Sequence, residues 1–140
     1  MPFTLKRMTI ADEAAFHAIA PDVFDEPVDS RRLRDYLSTS GHMMLLAFDG
    51  DLVVGQCAAV IHRHPDKPTE LYVDEVGTAS THRRQGIARS MLTELFAWGR
   101  ELGCEEAWLG TELDNTAANA LYRSFAPTED EAIQYYLFKL

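Results

Sequence analysis

The sequence predicts a single α/β domain. Its sheet is mixed and mostly antiparallel, with one parallel pair and helices on both faces. Three observations lead there. Two apolar runs flank a short glycine turn near residue 50, which is the signature of an antiparallel hairpin. A strand, a glycine-bearing loop, a long amphipathic helix and another strand follow one another between residues 70 and 111, and such a crossover sets two neighbouring strands parallel. The chain of 140 residues, with 46% hydrophobic and 25% charged residues, has the size and composition of one globular domain that buries roughly two-thirds of its unfolded surface.

Element by element, residues 3–7 read as an opening strand. Thr9 caps a helix that begins Ile10-Ala11-Asp12-Glu13 and is expected to reach about residue 19. Pro21 and Pro27 bracket a loop carrying Asp22, Asp25 and Glu26. A second helix is expected over 29–39, its apolar face made by Leu33, Tyr36 and Leu37, with Gly41 ending it. Strands follow at 42–48 and 52–64 around Asp49-Gly50-Asp51, and a third at 70–78 after the Pro65–Pro68 break. The long helix runs from Ile87 to about Leu102. Ile87, Met91, Leu95 and Leu102 form its stripe, with Leu92, Phe96 and Gly99 beside it. A strand at 106–111, a helix at 115–125 and a closing strand at 133–140 complete the order. No repeat, low-complexity tract or linker interrupts it.

The most informative run is His82-Arg83-Arg84-Gln85-Gly86-Ile87-Ala88-Arg89. A glycine lets a ligand approach the backbone closely, and the helix that starts immediately after it offers uncapped N–H groups and the positive end of its dipole. Arg83, Arg84 and Arg89 add charge, so the loop suits a pyrophosphate. This basic cluster stands out in a chain of net charge −9. Such acidity argues against nucleic-acid binding and is compatible with a small cationic partner. No apolar run is long enough for a membrane span, the opening residues lack a signal-peptide core, and Cys57 and Cys104 are too few for a disulfide framework. A cytoplasmic protein is expected. His62 and His64, two apart at a strand end, could share one face, but no third ligand is evident in the sequence and no metal is expected.

Three segments together resemble the GNAT N-acetyltransferases. Arg83-Arg84-Gln85-Gly86-Ile87-Ala88 is similar to that family's acetyl-CoA loop, R/Q-x-x-G-x-G/A. Val73-Asp74-Glu75-Val76-Gly77-Thr78 is similar to its upstream strand, and Asn115-Thr116-Ala117-Ala118-Asn119-Ala120-Leu121-Tyr122 to its N-x-x-A-x-x-L-Y helix. Within the superfamily, Phe24-Asp25-Glu26-Pro27 and the stretches 45–54 and 74–92 look most like aminoglycoside 3-N-acetyltransferases. Ser124-Phe125-Ala126-Pro127 replaces the usual Gly-Phe after the last helix, and the tail is short.

The resemblance implies a GNAT fold with a splayed parallel pair and acetyl-CoA as co-substrate. Backbone groups of Arg84, Gln85, Gly86, Ile87, Ala88 and Arg89 would cradle the pyrophosphate, with Arg83 nearby. Val76, Gly77 and Thr78 would pair with the pantetheine arm and polarise the thioester carbonyl. Asn115, and less firmly Asn119, would also contact the cofactor, although Asn115 equally suits a helix cap. Tyr122 would assist the departing thiolate.

An alkylamine with a pKa near 10 is neutral in about one molecule in a thousand at pH 7, so the acceptor needs a base. Glu75 is expected in that role and in binding the ammonium. Strand alternation would turn Asp74 to the opposite face. Asp25, Glu26 and Glu112 are candidate acceptor contacts. The expected reaction is direct attack by a primary amine of a small cation, an aminoglycoside being one candidate, in a ternary complex. A protein N-terminal or lysine acetyltransferase and a non-catalytic acyl-CoA sensor are the alternatives. A homodimer is a further expectation by analogy.

Overall fold

The computed structural model describes residues 2–140. They form two compact units, one up to Leu109 and the other Gly110–Leu140. The first holds a five-stranded sheet in the order β1-β2-β3-β4-β5. Its strands are β1 (Thr4–Arg7), β2 (His42–Asp49), β3 (Leu52–His62), β4 (Glu70–Thr78) and β5 (Glu106–Trp108). The first four pair antiparallel, and β5 pairs parallel to β4. This is the mixed sheet expected from the hairpin and crossover patterns.

Every residue from Val53 to Ala59 on β3 is buried. An unbroken buried run requires cover on both faces of the sheet. On one face lies helix α2 (Ile87–Glu101), which sets Ile87 and Met91 against Gly55. Gln56, the next residue, points the other way and reaches the carbonyl of Val23, so the loop around Val23 covers the opposite face. Helix α1 (Ser30–Ser38) begins at Asp29, whose carboxylate accepts from the backbone N–H of Arg32, and Tyr36 on α1 donates to the carbonyl of Met43 on β2 at 2.6 Å.

Several expectations need correction. The first helix is a 3₁₀ helix, Ile10–His17. Thr9 and Asp12 close a reciprocal capping box at its start, but it stops short because Ile19 pairs with Val53 in an isolated parallel bridge. Strand β3 ends at His62, and β5 covers three residues rather than six. Leu102 is 44% exposed. It follows the last turn of α2 as the C-cap, where the chain leaves the sheet, so it does not continue the buried stripe.

The second unit contains α3 (Thr116–Arg123), which Asn115 caps by accepting from the N–H of Ala118 at 3.1 Å. The predicted closing strand at 133–140 is not one. The segment makes no ladder there, and a strand exists only where a neighbouring chain segment takes up its backbone groups.

Candidate functional site

Three features of the first unit meet around β4. The first is a bulge. Ala58 pairs with Glu75 and Ala59 with Val73, so Asp74 is the extra residue between them. A bulge breaks strict alternation and re-aims side chains. The expectation that alternation alone sets Asp74 opposite Glu75 therefore does not hold at this point of the strand. Register assigns Glu75 its face instead. Cross-strand partners share a face, which places Glu75 with Ala58, and Gly77 with Gln56, on the side covered by the Val23 loop.

The second feature is that loop. A Cβ on Gly77 would collide with the carbonyl oxygen of Val23. Glycine is required here for the close approach of another main chain. Gln56 Nε2 donates to the same carbonyl at 3.3 Å and is 2% exposed, while its Oε1 has no partner among the described residues. The loop so seated forms a cleft of about 310 Å³ lined in part by Asp22, Phe24, Asp25 and Glu26. Asp25 and Asp74 both act on Glu75. Burial first, then the negative charges of Asp74 and Asp25, push the Glu75 carboxyl above its ordinary 4.5. Asp74, although exposed at the surface, is likewise raised, chiefly by partial desolvation beside the sheet. Carboxylates held above their usual range beside an acidic cleft are suited to bind an ammonium and to accept its proton. Glu26 lines the same cleft.

The third feature is the loop into α2. Gly86 is the N-cap of this 15-residue helix, at φ +80°, and no side chain caps it. The N–H groups of the first turn have no partner within a helix. A Cβ on Gly86 would meet nothing within 4 Å, so the space above the turn is open. Arg84 also adopts a positive φ, +63°, which a side chain rarely does without surrounding constraint. Two residues earlier, His82 Nε2 donates to Asp49 at the β2–β3 turn at 2.9 Å, and Thr81 Oγ1 lies 2.8 Å from its other ring nitrogen. Arg83, Arg84 and Arg89 are exposed, and Gln85 Oε1 is buried without a partner among the described residues. A helix start that no side chain caps, an unfilled space and guanidinium groups nearby fit a pyrophosphate.

Between the second and third features lies a free sheet edge. On its β5 side, β4 pairs only through Glu70, Leu71 and Tyr72. The same edge of β4 from Val73 to Thr78 therefore has no strand partner among the described residues. It includes Val76, Gly77 and Thr78, and its main-chain groups are suited to pair with an extended amide-bearing arm.

The remaining predicted residues belong to the second unit. Asn115 is the cap of α3, as its position suggested. The amide of Asn119 donates to the carbonyls of Asn115 at 2.8 Å and Glu112 at 3.0 Å, so it fastens the turn before α3. Tyr122 is half-buried on that helix, and Glu112 is exposed just before it. The expected catalytic pair is thus divided, Glu75 in one unit and Tyr122 in the other. Sequence reasoning missed Asp49 and Gln56. The single amide within the apolar run Leu52–Ala59 was the available signal for Gln56. Nothing local marked Asp49, because its partner lies 33 residues away.

The family model described as "Acetyltransferase (GNAT) family" matches residues 10–126. The chain is 23% identical over 114 residues to an aminoglycoside N(6')-acetyltransferase type 1 of Acinetobacter haemolyticus, covering 79% of each. It is 32% identical over 92 residues to the human N-acetyltransferase 8, covering 65% of this chain and 40% of that protein. Among solved structures, an aminoglycoside acetyltransferase from an uncultured soil metagenomic sample, in complex with sisomicin, superposes with a TM-score of 0.81 at 21% identity. That match covers 99% of this chain and 96% of the other. The aminoglycoside relatives with a stated position are 6'-N enzymes. The expected likeness to 3-N enzymes is corrected accordingly.

Proposed function

Since the chain belongs to the GNAT family of N-acetyltransferases, we propose that it transfers the acetyl group of acetyl-CoA to a primary amine of a small cationic acceptor, with aminoglycosides the first class to test. One observation carries the acceptor: Glu75, held above its ordinary range, shares its sheet face with an acidic cleft that includes Asp25 and Glu26. The aminoglycoside relatives support this reading.

Acetyl-CoA supplies an activated thioester. The amides of Gly86, Ile87, Ala88 and Arg89, with Arg83, Arg84 and Gln85 around them, hold the diphosphate. Main-chain groups of Val76, Gly77 and Thr78 pair with the pantetheine arm, and their N–H groups polarise the carbonyl. Asn115, Asn119 and Glu112 are assigned supporting contacts with cofactor and acceptor. Asp25 and Glu26 draw in the polycation. Glu75 binds the reacting ammonium and takes its proton, directly or through one water, so that the amine can attack. As the C–N bond forms and the C–S bond breaks, the Tyr122 hydroxyl gives a proton to the departing sulfur, and the phenolate recovers one through water from the nitrogen that becomes the amide. Holding both substrates together supplies much of the rate.

The test is release of free thiol from acetyl-CoA against a panel of aminoglycosides, polyamines, amino acids and peptides. Turnover with small polycations is expected, and acetylation of peptides alone would overturn the acceptor assignment.

We also propose a homodimer, built on the segment that forms no strand. Ile133, Tyr135, Tyr136, Leu137, Phe138 and Leu140 are each at least 70% exposed. Paired as a strand they would alternate onto both faces, and a strand apolar on both faces belongs in a covered sheet. The three aromatic side chains alone offer about 450 Å² or more, over half of what one partner contributes to a standard stable interface. A second copy is the occupant this area supports.

A further inference from the structure

The end of the β3–β4 hairpin carries a second cluster, in the first unit and away from the acidic cleft. His62 closes β3, and its register partner is Glu70, the first residue of β4. His64 lies two residues beyond His62, and its Nε2 donates to Glu70 Oε1 at 2.6 Å. His62 Nδ1 is 3.9 Å from the same oxygen, and the two imidazole rings are 4.2 Å apart between centroids. One donor atom from each of the three residues lies within 4.8 Å of the others. Glu70 is the third ligand that the sequence alone did not reveal.

We infer that His62, His64 and Glu70 form a binding site for a single borderline divalent transition-metal ion of the Zn²⁺ type. Donor atoms at about 2.1 Å from a tetrahedral ion stand roughly 3.4 Å apart, and the present separations bracket that value. Two imidazoles and one carboxylate suit zinc, nickel, copper or ferrous iron rather than magnesium or calcium, which prefer all-oxygen shells. Water completes the coordination.

The site is partly pre-organised. The side chain of His64 is only 15% exposed and that of Glu70 25%. Pro65 and Pro68 limit the freedom of the connecting loop. On the next strand, Glu106 is the register partner of Glu70 and adds a carboxylate to the same row across the sheet. On binding, the ion takes the place of the hydrogen that His64 Nε2 donates to Glu70, the neutral ring keeps its hydrogen on Nδ1 by exchange through water, and carboxylate and imidazole both turn to the metal. The ion then clasps the end of β3 to the start of β4. It lies five residues, about 16 Å of strand, from Glu75, so this site is separate from the acetyl-transfer site and does not depend on the reading of it.

The experiment is calorimetric titration of the metal-stripped full chain with Zn²⁺, and in parallel with Mg²⁺, together with thermal melts and visible absorption after addition of Co²⁺. One equivalent of Zn²⁺ is expected, with a raised Tm, a Co²⁺ spectrum showing nitrogen and oxygen ligation, and no response to Mg²⁺. Glu70→Gln, which preserves shape, should weaken Zn²⁺ binding at least tenfold. His62→Ala/His64→Ala should abolish the one-equivalent site, and His17→Ala should leave it unchanged. Failure of the wild-type chain to bind Zn²⁺, or equal binding by the His62→Ala/His64→Ala chain, would overturn the assignment.

Discussion

At Glu75 a carboxyl is raised by burial and by two acidic neighbours, Asp74 and Asp25. A raised carboxyl makes the folded chain bind a proton that the unfolded chain has released. Stability therefore falls as pH rises from the unfolded value through the folded one. The proposed catalysis runs the other way, because a general base works only when ionised. Glu75→Gln should consequently raise Tm at pH 7, with the gain vanishing below the ordinary glutamate range. The same change should lower kcat/KM about 10²-fold or more and flatten the acid limb of its pH profile, which in the wild type should lie above the ordinary glutamate value. Paired melts and pH–rate profiles check both signs. Tyr122→Phe should lower kcat at least tenfold with little change in KM, measured by thiol release; an unchanged kcat would remove the phenol from the mechanism. The acid and the phenol of the proposed reaction were chosen from the sequence, because the chemistry demands those residue types. The neighbours that tune Glu75 could not. Asp25 is distant in sequence, and the bulge at Asp74 is a property of pairing between two strands.

Among the elements, the loop into α2 is where conformation and binding are set against each other. Arg84 holds a left-handed backbone that disfavours side chains, at a cost of roughly 1 kcal/mol. Arg84→Gly should relieve that strain and raise thermal stability by up to about 1 kcal/mol. It should also weaken acetyl-CoA binding several-fold through loss of a guanidinium. Melting curves and titrations on the same sample give the two numbers. The helix that follows was legible from its periodicity, with Ile87, Met91, Leu92, Leu95 and Gly99 all buried. Its sequence signals misled only at the end, where Leu102 continues the pattern but has left the sheet. The opening 3₁₀ helix was misread for a related reason. Its cap and first turn are ordinary helix signals, and the bridge from Ile19 to Val53 that stops it is a tertiary contact.

At the scale of the whole molecule, mixed sheet topology followed from local patterns alone: a glycine turn between apolar runs and a strand–loop–helix–strand unit. The segment at 133–140 was read as a strand for equally sound local reasons, but no ladder among the described residues takes up its backbone groups. If a second copy supplies cover, light scattering at micromolar concentration should give twice the 15.8 kDa chain mass. Tyr136→Lys/Phe138→Lys should then return the protein to a monomer. A wild-type monomer would remove the proposed interface.

The central claim is that coenzyme A binds through its diphosphate at the glycine turn feeding α2. The most direct measurement is calorimetric titration of acetyl-CoA into the wild-type chain and into Gly86→Glu, with circular dichroism confirming that both are folded. The account predicts one equivalent bound by the wild type and none by Gly86→Glu, whose side chain fills the open space above the turn and sets a carboxylate where phosphate oxygens belong. Undiminished binding by a folded Gly86→Glu chain would contradict it.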